Sequence, residues 1–171
     1  PNSSNTSSQL LAQFNGNNLV IQIPMHFRDE GWANCMGRIQ NEINRWANLN
    51  TISGSKVVFD FRDCRWVDPL PLMSILIEIA NVKHLNKSVE LLFTKIDSGP
   101  HPSEIGPYQK SPNRLLNFLN QEGFLDELDR LGVTSGNRRD EYRNLHVKPS
   151  YEDARCIPLT LFEVPSDRDT I

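Results

Sequence analysis

The sequence predicts an α/β domain: a mixed sheet with an N-terminal hairpin and a parallel βαβ core, and helices packed on the sheet. Two short runs rich in apolar and β-branched residues, at 57–61 and 89–93, are typical of central strands covered on both faces. The segment between them, residues 70–84, has the length and the apolar content of a helix. A strand, a helix and a second strand joined by short links form a crossover, which makes the two strands parallel neighbours.

An expected β-hairpin precedes this core. Two potential strands, residues 9–14 and 19–24, flank a segment that opens with Asn15-Gly16. Because Asn and Gly adopt positive φ readily, this step predicts a tight turn between the two strands. Apolar residues then recur at three- and four-residue spacing, which predicts an amphipathic helix near residues 30–48 with its charged side chains outside.

The helix predicted at 70–84 begins beside two prolines, Pro69 and Pro71. Proline fits a first helical turn, since the N–H groups there have no partner within the helix. Asp68 precedes them and is placed to cap those free N–H groups. The helix is otherwise almost entirely apolar, and the exceptions fall on one stripe: Ser74, Glu78 and Asn81. This stripe is either a solvent-facing line or a polar strip inside a partner interface.

Residues 9–133 are expected to form this domain, with less regular segments around and within it. Residues 1–8 are polar and are predicted to be disordered. Residues 94–110 contain several prolines and glycines, which predicts a long irregular loop. Two short helices are expected between residues 111 and 132. Residues 134–171 are predicted to be a C-terminal extension with one or two strands and a linker or cut end.

Composition argues against several classes of function. At 171 residues, one domain with a sizeable core is expected. The formal net charge of −3 argues against a general nucleic-acid binder, which needs a basic face. No apolar run reaches the roughly 18 residues that span a membrane, so no membrane association is expected. The three cysteines are far apart and fit reduced thiols, which predicts a cytoplasmic protein without a zinc site.

Catalytic motifs are absent from the sequence. It contains no glycine-rich phosphate loop, no GxSxG, no HExxH and no paired CxxC, so neither catalytic residues nor a cofactor are predicted. Three carboxylates, Asp60, Asp63 and Asp68, lie around the end of the central strand, where sites form in α/β sheets. Such oxygen ligands could hold Mg²⁺, which leaves a small metal-dependent enzyme as an alternative. Arg62 and Arg65 lie between them and could pair with the carboxylates instead.

The segment VVFDFRDCRWVDPLPLMSIL resembles the central strand, loop and helix of the STAS domain, the module of anti-sigma-factor antagonists and sulfate-transporter tails. In that family the strand ends in an Asp-containing turn, and a second Asp precedes a phosphorylated Ser or Thr and a glycine. Asp60 and Asp68 match the two aspartates, whereas Pro69 and Pro71 replace the phosphoacceptor and the glycine. The resemblance is specific over residues 56–82, and the order of elements extends it to the whole domain.

The resemblance implies a non-catalytic regulatory or ligand-sensing module of a bacterial-type signalling protein. Its expected partner is a protein, an ATPase domain of the histidine-kinase type, and the phosphorylation switch cannot operate because proline has no hydroxyl. The expected partner-binding surface comprises the residues around the loop and the following helix: Arg62, Arg65, Trp66, Asp68, Pro69, Ser74 and Glu78. Trp66 is either an exposed hot spot of this surface or a residue of the core. A structural oligomerisation domain, whose partner is a second copy of the chain, is the other alternative.

Overall fold

The structure is a computed structural model that describes residues 11–49, 54–93 and 114–133. Its helices and strands follow one another in the order β1 (Leu11–Asn15), β2 (Asn18–Gln22), β3 (His26–Phe27), α1 (Trp32–Leu49), β4 (Lys56–Asp60), β5 (Trp66–Val67), α2 (Pro69–His84), β6 (Ser88–Leu92), α3 (Arg114–Gln121) and α4 (Phe124–Arg130). The predicted α/β fold, in which a hairpin precedes parallel strands and helices pack on a mixed sheet, is confirmed.

The main sheet has four strands in the order β1-β2-β4-β6. Strands β1 and β2 are antiparallel, and the β2–β4 and β4–β6 pairs are parallel. The predicted parallel pairing of the two central runs is therefore confirmed. Both crossovers step across the sheet in the same direction and such crossovers are right-handed, so α1 and α2 lie on the same face. The two helices contact each other there.

The hairpin turn consists of Gly16 and Asn17, between paired residues Asn15 and Asn18. Gly16 has a φ of 60°, in the left-handed region, whereas Asn17 has no positive φ. Glycine at the first central position followed by a residue of negative φ is the arrangement of a type II′ turn, which matches the twist of the flanking strands. The turn is also tied to α1, because the Trp46 indole nitrogen donates a hydrogen bond to the Asn17 carbonyl at 2.9 Å.

The hydrophobic core lies between the helices and one face of the sheet. Alternate residues of β2, β4 and β6 and the residues just beyond these strands fill it: Leu19, Ile21, Ile23, Val57, Phe59, Phe61, Val89, Leu91 and Phe93. The ring of Phe61 lies 5.3 Å from that of Phe93 and 6.3 Å from that of Phe124 at the start of α4, so the C-terminal helices share this core. Trp46 of α1 is fully buried within it.

Burial on the other face of the sheet differs between strands. Val58 and Asp60 of β4 are buried on that face, as predicted for a strand covered on both sides. The same prediction is wrong for β6, in which Glu90 and Leu92 are only half-buried. Strand β6 is at the edge of the sheet in the described part of the chain, where a strand has one neighbour instead of two. Lys56 and Glu90 form an ion pair across this face.

A second, two-stranded sheet pairs β3 with β5 in parallel, and the sequence did not predict it. The Met25 carbonyl accepts a hydrogen bond from the Arg65 N–H at 2.8 Å, and the Phe27 carbonyl accepts one from the Asp68 N–H, also at 2.8 Å. These bonds hold the loop that precedes α2 against the segment that follows β2. The N-terminus of α2 is thereby fixed relative to the carboxyl ends of β2 and β4.

Several predictions lie outside the described residues and stay predictions. They concern the disorder of residues 1–8, the irregular loop at 94–110 and the C-terminal extension at 134–171. Within the described ranges, no helix is long and apolar enough to cross a membrane. The two short helices expected before residue 132 are confirmed as α3 and α4.

Candidate functional site

The carboxyl end of β4 carries a buried carboxylate that is neutralised within its own loop. The Asp60 side chain accepts hydrogen bonds from the Arg62 N–H at 3.0 Å and from the Arg62 Nε at 2.9 Å. The side-chain hydrogen bonds from Arg62 are the main reason that the pKa of Asp60 lies below its usual value, and burial only partly opposes them. Asp60 therefore remains ionised and holds the turn after β4, and the Arg62 side chain is left largely exposed.

The neighbouring carboxylate, Asp63, is held by the adjacent strand. Gln22 pairs with Asp60 across the β2–β4 ladder, and its Nε2 donates a hydrogen bond to Asp63 Oδ2 at 2.8 Å. The parallel order of β2 and β4 brings Gln22 to this edge, and sequence reasoning did not include it. Both ends of the Asp60–Asp63 turn are thus fixed to the sheet.

Asp68 lies at the N-cap position of α2, but its side chain makes no capping hydrogen bond, so that prediction is wrong. Asp68 Oδ1 accepts a hydrogen bond from the Trp66 indole N–H at 2.6 Å, and Oδ2 accepts one from the Asp29 N–H at 3.0 Å. One physical reason lies in the first turn of the helix, where Pro71, at the N3 position that a cap commonly bonds, has no N–H to offer. The carboxylate instead accepts hydrogen bonds from the two N–H groups that the β3–β5 sheet places beside it.

Trp66 is half-buried, so it is neither the fully exposed hot spot nor the core residue that the sequence left as alternatives. Its ring stacks on Phe118 of α3, with centroids 5.3 Å apart and an interplanar angle of 29°. Together with the hydrogen bond to Asp68, this contact makes Trp66 a link between α3 and the start of α2. Arg65, beside it, is exposed and available to a partner.

The three carboxylates of this edge do not form a metal site. Asp60, Asp63 and Asp68 each accept hydrogen bonds from a different set of donors. In the ranges that the structure describes, no three His, Cys, Asp or Glu side chains come together in a way that could hold a metal ion. The geometry therefore gives no support to the metal-dependent enzyme that the sequence left as an alternative.

The thiol beside this loop is poorly suited to be a nucleophile. Cys64 is buried, and its Sγ donates a hydrogen bond to the Trp66 carbonyl at 3.5 Å. Burial raises the pKa of the Cys64 thiol to about 12. The side chain is therefore protonated near neutral pH, whereas nucleophilic cysteines react as thiolates.

The polar stripe predicted on α2 is not a solvent-facing line. Glu78 is only 8% exposed, and this burial raises the pKa of its carboxyl group, which a hydrogen bond with Asn81 partly opposes. Ser74 is half-buried, and its hydroxyl donates to the Leu70 carbonyl at 3.0 Å. Only Asn81 is exposed as that prediction requires.

The outer face of α2 is apolar instead. Leu70 is 41% exposed, and Met73 and Ile77 are each 44% exposed. These three residues, here named the α2 stripe, lie at i, i+3 and i+7, so they form one row along the helix. Sequence reasoning missed them because nearly every residue of this helix is apolar. Their i, i+3, i+7 spacing was the signal in the sequence that could have identified them, alongside the polar stripe of the same helix.

A comparison of the chain with protein-family models gives no match, and a comparison with curated proteins gives no match either. The site itself is thus the basis for an interpretation of function. It consists of a loop whose carboxylates are internally bonded, two exposed arginines, and an apolar helix face that begins immediately after them. An arrangement of this kind can bind another macromolecule, because it offers exposed side chains on a rigid support.

Proposed function

We propose that this chain is a STAS-like, non-catalytic regulatory module that binds a protein partner through the loop after β4 and the outer face of α2. The partner that the resemblance suggests is an ATPase domain of the histidine-kinase type in a bacterial-type signalling protein. The exposure of the α2 stripe carries this proposal, since three apolar side chains in one row on a helix are typical of an interaction surface.

The residues of the expected surface divide into two groups. Arg62, Arg65 and Pro69 are exposed and can touch a partner directly. Trp66 and Asp68 are hydrogen-bonded to each other and hold the loop in place, so they position the exposed residues of the surface. Such support reduces the entropy that a loop loses on binding and therefore favours affinity.

Ser74 and Glu78 contribute less to this surface than the sequence suggested. The Ser74 hydroxyl is engaged with the backbone, and Glu78 is buried. The α2 stripe takes their place as the part of the helix that meets the partner.

The start of α2 also bears on how binding is controlled. Pro69 and Pro71 supply neither a hydroxyl to phosphorylate nor an N–H to bind an anion. The Leu72 N–H is already donated to the Asp68 carbonyl at 3.1 Å. We therefore propose that partner binding is independent of phosphorylation at this loop, unlike that of the antagonists which the sequence resembles.

Calorimetric titration tests the proposal. The chain would be titrated with purified histidine-kinase-type ATPase domains encoded beside it in its own genome. Saturable 1:1 binding by the parent is expected, weakened about tenfold in Arg65→Ala, the loss typical of an interface residue worth over 1 kcal/mol. Arg38→Ala is the matched control, because Arg38 is an exposed arginine on α1, away from the loop.

The outcomes separate the proposal from its alternative. Absence of binding to every such domain would contradict the ATPase partner. Equal binding by Arg65→Ala and Arg38→Ala would show that the loop is not the contact surface. A mass in solution that rises with concentration, measured by sedimentation, would favour the structural oligomerisation domain instead.

A further inference from the structure

The chain has three methionines, and the structure describes all of them. Met25 is 48% exposed and Met73 is 44% exposed, whereas Met36 of α1 is 7% exposed and belongs to the core. Peroxides oxidise the methionine thioether to a sulfoxide, and the oxidant must reach the sulfur to do so. Two of the three side chains are therefore accessible to this reaction, and Met36 is a reference that should resist it.

Both exposed methionines lie at the proposed binding surface. Met73 is the middle residue of the α2 stripe. Met25 lies beside the loop before α2, because its carbonyl accepts hydrogen bonds from the Arg65 N–H at 2.8 Å and from the Trp66 N–H at 3.3 Å. One thioether is thus on the helix, and the other is next to the loop, that we propose to meet the partner.

Oxidation would change the character of this surface. A sulfoxide carries a polar S–O group where the thioether is apolar, and such a change disrupts interfaces that contain methionine. A partner that packs on the surface would have to remove water from the new oxygen without a hydrogen bond prepared for it, which costs free energy. At Met73 the oxygen would also interrupt the row of the α2 stripe. The expected consequence is weaker binding.

The thiols in the described ranges compete poorly for the oxidant. Burial raises the pKa of the Cys64 thiol to about 12, and it raises the pKa of the Cys35 thiol, which the charge of Arg38 only partly opposes. Because peroxides react with thiolates, both cysteines should react slowly near neutral pH. A thioether has no proton to lose, so its oxidation does not depend on such a pKa. Met25 and Met73 should therefore react before these thiols.

We infer that Met25 and Met73 are sites of reversible oxidation by peroxide, and that their oxidation lowers the affinity for the partner. The sulfur lone pair attacks one oxygen of hydrogen peroxide, the O–O bond breaks, an S–O bond forms and water leaves. The sulfur loses two electrons and the peroxide gains them. Methionine sulfoxide reductases restore the thioether. This inference rests on the proposed function, because the affinity that changes is the affinity for the partner domain.

Limited oxidation tests the chemistry. The folded full chain would be treated with hydrogen peroxide at pH 6, where thiols are largely protonated. Trypsin cuts after Lys and Arg and places each methionine in its own peptide, so mass spectrometry can follow the sulfoxide at each position. Sulfoxide is expected at Met25 and Met73 well before Met36, and a mixture of the two types of sulfoxide reductase should remove it. Oxidation of Met36 as fast as that of Met73 would overturn the inference.

Calorimetric titration with the histidine-kinase-type ATPase domain tests the consequence, after catalase has removed the peroxide. The oxidised chain is expected to bind about tenfold more weakly than the reduced chain. The double variant Met25→Leu/Met73→Leu keeps apolar side chains of similar volume that cannot be oxidised, so it should bind like the parent before and after peroxide. Met36→Leu is the matched control and should lose affinity on oxidation as the parent does. Circular dichroism melting would show that all these chains remain folded during the titration.

The outcomes distinguish this inference from the function on which it rests. Equal affinity before and after complete oxidation of Met25 and Met73 would overturn the inference and leave the proposed function intact. A loss of affinity in the peroxide-treated double variant as large as that in the parent would do the same. A reduced chain that binds no ATPase domain would contradict the proposed function, whereas selective, reversible sulfoxide at Met25 and Met73 of that chain would still support the two oxidation sites.

Discussion

Replacing Trp66 tests whether the loop before α2 is held by the contacts described above. Trp66→Ala removes the stacking on Phe118 and the hydrogen bond to Asp68. Truncation of a fully buried large aromatic costs about 3–5 kcal/mol. Because Trp66 is half-buried, we expect Trp66→Ala to lower the free energy of unfolding by about 2–3 kcal/mol. This figure includes the loss of the charge-assisted hydrogen bond, since such bonds contribute roughly 1.5–3 kcal/mol. Trp66→Phe keeps a ring on Phe118 but loses the hydrogen bond to Asp68, so it should cost about 1.5–2 kcal/mol, less than Trp66→Ala.

Urea unfolding monitored by far-ultraviolet circular dichroism measures these differences, since the substitution itself would alter tryptophan fluorescence. For a chain of this size, 1 kcal/mol corresponds to a Tm change of about 2–4 °C, so Trp66→Ala should lower the Tm by roughly 4–12 °C. Arg65→Ala is the control and should stay within about 0.5 kcal/mol of the parent, because Arg65 is exposed. A Trp66→Ala variant as stable as Arg65→Ala would refute the structural role assigned to Trp66.

Asp60 should stabilise the fold at neutral pH, because its pKa in the folded state lies below its pKa in the unfolded state. This stabilisation is present above about pH 4 and is lost as the pH falls through the pKa of the folded state. Asp60→Asn should therefore flatten the acid limb of stability against pH, and an unchanged limb in urea titrations would contradict this. The Cys64 thiol, with its pKa raised to about 12, should react with iodoacetamide at pH 8 only in urea, and fast labelling of Cys64 in the native chain, located by peptide mapping, would refute its burial. An anti-sigma-type serine kinase with ATP should add no phosphate between residues 62 and 78, as mass spectrometry can check. In the converse experiment, Pro69→Ser tests whether restoring a hydroxyl creates a substrate.

The strands of the main sheet could be predicted because local pattern and tertiary structure agree there. The runs at 57–61 and 89–93 are apolar enough to be strands in almost any context, and short links through a helix leave parallel pairing as the standard arrangement. The hairpin was predictable for a similar reason, since Gly16 accepts the positive φ that its turn requires. The β3–β5 pair was not predictable, because each strand has two residues and exists only through its partner.

The side-chain roles at the site depended on neighbours that are distant in sequence. Asp68 has the position of a helix cap, and only the fold shows that the Asp29 N–H, 39 residues away, lies within reach of its carboxylate. Phe118, which decides the environment of Trp66, comes from α3. Local sequence identifies the residue types of such a loop, but it cannot state which donors or rings the fold brings to them.

The orientation of α2 was the larger error. When almost every side chain of a helix is apolar, composition does not determine which face turns inward. The structure buries Glu78 and exposes the α2 stripe, the reverse of what polarity alone suggested. A helix that exposes apolar residues while it buries a carboxylate departs from the rule for an isolated domain, and such departures are expected at functional surfaces.

Site-specific photo-cross-linking tests the central claim, that the outer face of α2 is a partner-binding surface, most directly. A benzophenone amino acid would replace Met73, which is 44% exposed on the stripe, and in a matched control it would replace Leu49, which is 67% exposed on α1. After irradiation in the cells of origin, mass spectrometry would identify the cross-linked chain and peptide. Our account predicts a cross-link from position 73, and none from position 49, to a histidine-kinase-type ATPase domain. Cross-links from position 73 only to further copies of this chain, or none that exceed those from position 49, would contradict it.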